Sequence, residues 1–162
     1  MFTQPCYIRK NTPELRKELD VLGYNRHPSY SDNVQYLYLN RGFYHTNVVG
    51  YTEEIERMID CGTNEELFLA LSALRDDSDY MQWFVYPKTQ TKRISGCFGQ
   101  VVGMDGYYQE IIEHEWIQYN MDDRKLSERI EYRLSLCCCD EEKKFIPHKA
   151  TIDEIIEHFK NR

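Results

Sequence analysis

Three short segments of this chain contain a polar residue three positions before a glutamate, a spacing that is typical of the start of a helix. The pairs are Asn11 and Glu14, Thr63 and Glu66, and Thr151 and Glu154. In such a capping box the polar side chain accepts a hydrogen bond from an early helix amide, and the glutamate accepts one from the amide of the capping residue. Three helix starts are therefore predicted, at Asn11, Thr63 and Thr151.

The residues around each capping box also favour a helix. After the first box, Leu15, Leu19 and Leu22 recur at the spacing of one helix face, and a similar apolar spacing follows the other two. Gly23 predicts the end of the first helix, because glycine readily adopts the left-handed conformation. Each helix is preceded by a short apolar stretch that predicts a strand: Cys6-Tyr7-Ile8, Met58-Ile59 and Phe145-Ile146.

Further strands are predicted between and after the first two helices. Residues 34–39 and 43–49 flank the turn Asn40-Arg41-Gly42, which indicates a hairpin. Residues 81–86 are predicted as a strand that ends at Pro87. Residues 92–98 and 100–104 are weaker strand candidates, because glycines interrupt them.

Two segments towards the carboxyl end differ in their periodicity. The apolar positions of residues 107–119 fit a helical stripe better than an alternation, so we expect a helix. In residues 130–138, apolar side chains alternate with polar ones, so we expect a half-buried strand. Residues 140–142 are predicted as a turn.

These elements predict an α+β fold, in which a mixed or antiparallel sheet carries three to four helices packed mainly on one face. The 162 residues are 41% hydrophobic and 29% charged, which is typical of a globular protein. No segment rich in Pro, Gly or Ser divides the chain. A single domain over residues 1–162 is therefore the simplest organisation.

Charge and hydropathy exclude several classes of protein. Lys and Arg number 20 against 27 Asp and Glu, which gives a formal net charge of −7. A negative protein repels phosphate backbones, so generic nucleic-acid binding is not expected. No apolar run approaches the roughly 18 residues of a membrane helix, and residues 1–5 lack the features of a secretory signal. We therefore expect a cytoplasmic protein that does not associate with a membrane.

The chain contains six cysteines, three of which are adjacent at Cys137-Cys138-Cys139. Without an export signal, we expect reduced thiols instead of disulfides. Zinc sites use paired ligands separated by two to four residues, a spacing that these adjacent cysteines lack.

The five-residue word Glu-Ile-Ile-Glu-His occurs twice, at residues 110–114 and 154–158. On a helix its first glutamate and its histidine share a face, so two such helices would present Glu110, His114, Glu154 and His158 to a divalent metal. Helical di-metal sites, however, use Glu and His three residues apart. The alternative is a pair of exposed side chains that contributes weakly to helix stability. No bound cofactor is predicted.

Tyrosine is unusually frequent, with 13 copies in the chain. Its flat apolar ring and polar tip suit a binding surface, although they equally suit a strand face. Five aromatic residues are candidate ligand-binding side chains: Tyr36, Tyr38, Tyr44, Trp83 and Tyr86. The chain contains neither a phosphate-binding glycine motif nor a Gly-x-Ser-x-Gly elbow, so no catalytic residue is assigned.

Three phrases together resemble a loose group of small uncharacterised proteins from bacteriophages and bacterial mobile elements. They are CYIRKNTPEL at residues 6–15, DCGTNEELFLAL at 60–71 and HKAT at 148–151. The resemblance covers about the first 85 residues and the closing stretch from His148. It implies a genomic setting and no mechanism, because these phrases contain helix caps and no catalytic words.

Two hypotheses of function follow. The first is a non-enzymatic binding protein, of phage or mobile-element origin, that acts on a host protein or sequesters a small molecule. Binding proteins often act as homo-oligomers whose interface forms the pocket. The second is a small metal-dependent hydrolase that uses Glu113 or Glu157 together with His114 or His158. A structural component of a virion is a third alternative.

Overall fold

The structure, a computed structural model, describes residues 1–46, 56–94 and 106–160, and both helices and strands occur along this length. The helices with bounds in these residues are α1 (Pro13–Leu22), α2 (Glu65–Ser72), α3 (Lys125–Leu136), α4 (Asp140–Lys143) and α5 (Ile152–Lys160). The strands form two sheets, one mixed and one antiparallel. The predicted α+β fold is confirmed.

The mixed sheet has five strands and the order β2-β4-β3-β1-β5. Its strands are β1 (Cys6–Ile8), β2 (Asn25–Arg26), β3 (Leu37–Asn40), β4 (Phe43–His45) and β5 (Ile59–Asp60). The antiparallel sheet has the order β7-β6-β8, with β6 (Trp83–Ile94), β7 (Gly106–Gln118) and β8 (His148–Lys149). Strand β1 lies between β3 and β5, although it precedes both in the sequence.

The main core lies between the mixed sheet and three helices. Alternate strand residues enter it, and α1, α2 and α5 each contribute an apolar face: Cys6, Ile8, Leu37 and Leu39 from the sheet, and Leu15, Leu19, Phe68, Leu71, Ile155 and Phe159 from the helices. These helices therefore pack on one face of the sheet, as predicted. A second cluster joins Phe84 of β6 to Leu126 and Ile130 of α3 and to Ile146.

The three helices with predicted capping boxes are present, and two of them begin one residue later than predicted. The Oγ1 of Thr12 caps α1 at 3.2 Å from the amide of Leu15, and Asn64 caps α2 in the same way. Asn11 is not the cap, because its side-chain oxygen instead accepts hydrogen bonds from Arg16 and Tyr30. These side-chain contacts compete with capping.

The third capping box is formed in full. The amide of Thr151 donates to the Glu154 carboxylate at 2.8 Å, and the amide of Glu154 donates to the Thr151 hydroxyl at 3.3 Å. The helix end at Gly23 is also confirmed, with a φ of 105°.

In the hairpin of β3 and β4, Arg41 and Gly42 both have positive φ values, as a type I′ turn requires. The predicted second strand of this hairpin extended to residue 49, which lies outside the described residues.

The helix predicted over residues 107–119 is wrong, because this segment is strand β7. It pairs with β6 from Trp83 opposite Gln118 to Ile94 opposite Gly106. The register shifts between Lys88 and Thr89, which leaves Ile112 as an extra residue on β7. Such a bulge moves the alternation by one position, which is why the apolar residues looked helical.

The prediction that Pro87 ends its strand is also wrong, since Pro87 lies within β6 and pairs with His114 of β7. Strand β8 pairs with β6 at Phe84 and Val85, and the described pairing with β8 does not reach Pro87. The lack of an amide hydrogen on Pro87 therefore interrupts no described hydrogen bonds between β6 and β8. Of the weaker predicted strands, 92–94 belong to β6, and 95–104 lie outside the described residues.

The strand predicted over residues 130–138 is wrong as well, because most of this segment belongs to helix α3. Leu126 and Ile130, four residues apart, bury one face of α3 against Phe84 and Ile146. Residues 131–136 are exposed, so their alternation reflects no buried strand face. The predicted turn at 140–142 is part of α4, and Phe145-Ile146 lies in a turn, so the strand before α5 is β8.

Candidate functional site

Tyrosines gather on the face of the mixed sheet that is turned away from the helices. Leu37 and Leu39 of β3 are buried in the core, so Tyr36 and Tyr38 project from the opposite face. Tyr7 does the same on β1, since its neighbours Cys6 and Ile8 are buried. We call this surface, formed by Tyr7, Tyr36 and Tyr38, the tyrosine face.

The rings of the tyrosine face stack in a row, with Tyr38 at the centre. Its ring centroid lies 5.4 Å from that of Tyr7 and 6.2 Å from that of Tyr36, with interplanar angles of 27° and 17°. His45 continues the row at 6.1 Å from Tyr38. The register explains this order, because Tyr7 and His45 pair with Tyr38 from the two adjacent strands.

An ion pair lies beside these rings. Arg9 follows Tyr7 by two residues on the same face, and its guanidinium donates to the Asp60 carboxylate at 3.0 Å. Asp60 is the β5 residue opposite Tyr7. The Gly62 amide, 2.8 Å from the other carboxylate oxygen, and then the Arg9 guanidinium hold the pKa of Asp60 below its usual value. The site thus combines one cation and one anion.

The hydroxyls of Tyr7 and Tyr38 remain protonated at neutral pH. Partial burial, followed by the charge of Asp60, raises the pKa of Tyr7. Partial burial, followed by the neighbouring Tyr36, raises the pKa of Tyr38. These hydroxyls can therefore donate and accept hydrogen bonds, while the rings supply flat apolar area.

The structure separates the five predicted ligand-binding residues. Tyr36 and Tyr38 lie on the tyrosine face. Tyr44 is buried in the main core, where its hydroxyl accepts a hydrogen bond from Arg26 at 3.2 Å. Trp83 packs against the main core near Phe159, and Tyr86 packs against the second cluster.

Sequence reasoning missed Tyr7, Arg9 and Asp60. The first two carried a usable signal, because Cys6 and Ile8 flank Tyr7 in the pattern of a half-buried strand. No signal in the sequence pointed to Asp60, since its proximity to Tyr7 depends on the parallel pairing of β1 with β5.

The four predicted metal ligands each have a different environment. Glu110 forms an ion pair with Lys92 at 2.6 Å, on the hairpin of β6 and β7. His114 is exposed opposite Pro87, and Glu154 contacts His148 and the Thr151 amide. His158 stacks on Trp116, with centroids 3.9 Å apart. Within residues 1–46, 56–94 and 106–160, no group of three or more His, Cys, Asp or Glu side chains is arranged to hold a metal ion.

The described cysteines are free thiols. Cys6 and Cys61 are buried in the main core, and burial followed by the neighbouring Cys61 raises the pKa of Cys6. Cys138 and Cys139 are exposed after the end of α3, with Cys137 partly buried beside the second cluster.

Comparison with protein-family models, with curated protein sequences and with solved structures finds no match to this chain. None of the helices in the described part of the chain has both the length and the apolar character needed to span a bilayer.

Proposed function

We propose that this chain is a non-enzymatic binding protein that holds a protein partner against its tyrosine face. The observation that carries this proposal is the row of stacked rings formed by Tyr7, Tyr36 and Tyr38 beside the Arg9–Asp60 ion pair. Tyrosine and arginine are enriched among the residues that dominate protein–protein affinity. Rings held by their neighbours also lose little conformational freedom when a partner binds.

The charge of the face favours a protein over a nucleic acid. Asp60 offsets the Arg9 guanidinium at 3.0 Å, and the whole chain has a formal net charge of −7. Affinity for a nucleic acid comes largely from the neutralisation of phosphates by lysine and arginine. A protein surface, in contrast, can offer both a carboxylate to Arg9 and a donor to Asp60.

The sequence resemblance to phage and mobile-element proteins supports a host protein as the partner. We further propose that the encounter takes place in the cytoplasm. Cys6 and Cys61 are both buried in the main core, where cysteine acts as a small apolar residue, and reduced thiols of this kind are typical of cytoplasmic proteins.

Photocrosslinking tests the proposed interface. A photoactivatable phenylalanine analogue replaces Tyr36, which is 38% exposed, in cells that naturally produce the protein. We expect a crosslinked adduct of defined mass, whose partner is identified by mass spectrometry. The matched control carries the same analogue at Tyr132, which is 66% exposed on α3 and outside the tyrosine face. This control should not yield that adduct.

Affinity measurements with the identified partner complete the test. The double variant Tyr36→Ser/Tyr38→Ser should weaken binding by about thirtyfold or more, the effect of losing a hot-spot residue. The control variant Tyr107→Ser/Tyr132→Ser removes two exposed tyrosines that lie outside the tyrosine face and should bind as the wild type does. Equal binding by both double variants would contradict the proposal. An adduct with a second copy of this chain would instead identify the face as a homodimer interface and would contradict the proposal that the partner is a host protein.

A further inference from the structure

A concave cleft separates the helices of the mixed sheet from the start of the antiparallel sheet. Its volume is about 280 Å³, and its apolar walls include Trp83 and Phe159, whose rings lie 5.4 Å apart. Met81 also lines it, and Glu18, Glu66 and Gln118 contribute polar groups. This cleft is separate from the tyrosine face.

The backbone of Met81 adopts a conformation that is unfavourable for a side chain. Its φ is 61°, and it occupies the third position of a turn closed by the hydrogen bond from the Gln82 amide to the Asp79 carbonyl. Glycine or asparagine is usual at such a position. Bulky residues with positive φ are rare, and such strain concentrates at binding and active sites.

Neighbouring hydrogen bonds hold the strained turn in place. The Met81 amide donates to the Tyr119 carbonyl, and the side-chain amide of Gln118 donates to the Met81 carbonyl at 3.0 Å. The end of β7 thereby fixes the turn that places Met81 in the cleft lining. Methionine adapts its shape to an apolar ligand more readily than a branched side chain does.

We propose that this cleft binds an organic cation that carries one apolar ring. The volume exceeds the roughly 150 Å³ of a cavity that accepts benzene, so it accommodates one ring and a short chain. Trp83 lines the cleft, and tryptophan is the aromatic side chain that attracts a cation most strongly. The carboxylates of Glu18 and Glu66 favour a positive ligand, whereas they disfavour an anion of the same shape.

Fluorescence titration with simple probes tests the proposal. The chain has two tryptophans, so Trp116→Phe leaves Trp83 as the single tryptophan reporter. Phenethylammonium is the cationic probe, 2-phenylethanol the neutral one and phenylacetate the anionic one. We expect Trp83 emission to change with phenethylammonium at the lowest concentration, with 2-phenylethanol at a higher one and with phenylacetate not at all.

Charge variants then separate the cleft from general electrostatic attraction. In the same background, Glu18→Gln/Glu66→Gln should weaken phenethylammonium binding by about tenfold or more and leave 2-phenylethanol binding unchanged. Glu14→Gln/Glu128→Gln makes the same change in net charge outside the cleft lining and should have no effect.

Circular dichroism and thermal unfolding confirm that each variant is folded before its titration is interpreted. Equal affinity for the cation and the alcohol would overturn the proposal, as would an absence of binding at millimolar phenethylammonium. Equal losses in the two double variants would also overturn it. None of these outcomes bears on the tyrosine face, so the two proposals succeed or fail separately.

Discussion

The carboxylate of Asp79 accepts a hydrogen bond from the backbone amide of Ser127 at 2.9 Å and another from the Ser127 hydroxyl. Ser127 lies in the first turn of α3, whose preceding residue, Arg124, makes no side-chain cap. A residue 48 positions away in the sequence therefore caps this helix. The Lys149 ammonium lies 3.3 Å from the same carboxylate, so Asp79 also connects α3 to β8.

Replacement of this cap is expected to destabilise the protein strongly. Asp79 is fully buried, so Asp79→Ala leaves the Ser127 amide and the Lys149 ammonium without their partner. We expect a loss of about 3 kcal/mol in the free energy of unfolding, as for other buried charge pairs that lose one member. Urea unfolding monitored by circular dichroism measures it. Asp140→Ala, at a fully exposed side chain, is the control and should unfold as the wild type does. A similar midpoint for both variants would contradict the proposed role of Asp79.

The capping box of α5 should make stability depend on pH. Burial opposes ionisation of Glu154, but the Thr151 amide and His148 outweigh it and lower the pKa of this carboxylate. A lowered folded-state pKa adds stability above the unfolded value of about 4.5, and this contribution disappears as pH falls through the folded value.

Glu154→Ala should therefore cost about 1 kcal/mol at neutral pH, the usual effect of losing a helix cap, and much less near pH 3. Thermal unfolding across this pH range provides the measurement. Glu157→Ala removes an exposed carboxylate from the same helix and serves as the control. A destabilisation by Glu154→Ala that is constant with pH would contradict the assignment.

At Met81 a glycine variant should be more stable than an alanine variant, which is the reverse of the usual order of stability within a helix. Both Met81→Ala and Met81→Gly remove the side chain, but glycine alone tolerates the φ of 61°. We expect the glycine variant to be more stable than the alanine variant by about 1 kcal/mol, the cost of a left-handed residue. The same pair at Val21, an exposed position within α1, should show alanine as the more stable by about 1 kcal/mol. Chemical unfolding of the four variants decides the matter, and the same order at both positions would argue against strain at Met81.

The hairpin of β6 and β7 should open unevenly. At its base, β8 pairs with Phe84 and Val85, and α3 packs against Phe84. Beyond Lys88, the described residues pair only within the hairpin, and a two-stranded ribbon in water is marginally stable. Hydrogen exchange measured by NMR should therefore show faster exchange for residues 90–93 than for 84 and 85. Uniform protection along β6 would mean that another part of the molecule supports the distal ribbon.

Local chemistry was sufficient to predict several features of this fold. The turn at Arg41-Gly42, the helix end at Gly23 and the capping box at Thr151 depend on residues within one turn of each other. For the site, the aromatic content of the segment predicted as a strand over residues 34–39 indicated Tyr36 and Tyr38. The stacking of Tyr7 on Tyr38 was not predictable, because it requires β1 to lie beside β3.

By itself, the sequence determined the α+β class, the approximate starts of α1, α2 and α5, and the β3–β4 hairpin. Caps, turns and apolar spacing depend on interactions between residues a few positions apart, so they favour the same local structure in any tertiary context. The tertiary structure alone decided that residues 107–119 form a strand and that most of residues 130–138 form a helix. A bulge opposite Lys88 and Thr89 disrupted one periodicity, and the cap of the other segment came from Asp79. The tyrosine face, the Arg9–Asp60 pair and the cleft beside Met81 likewise depend on contacts between residues that are distant in the sequence.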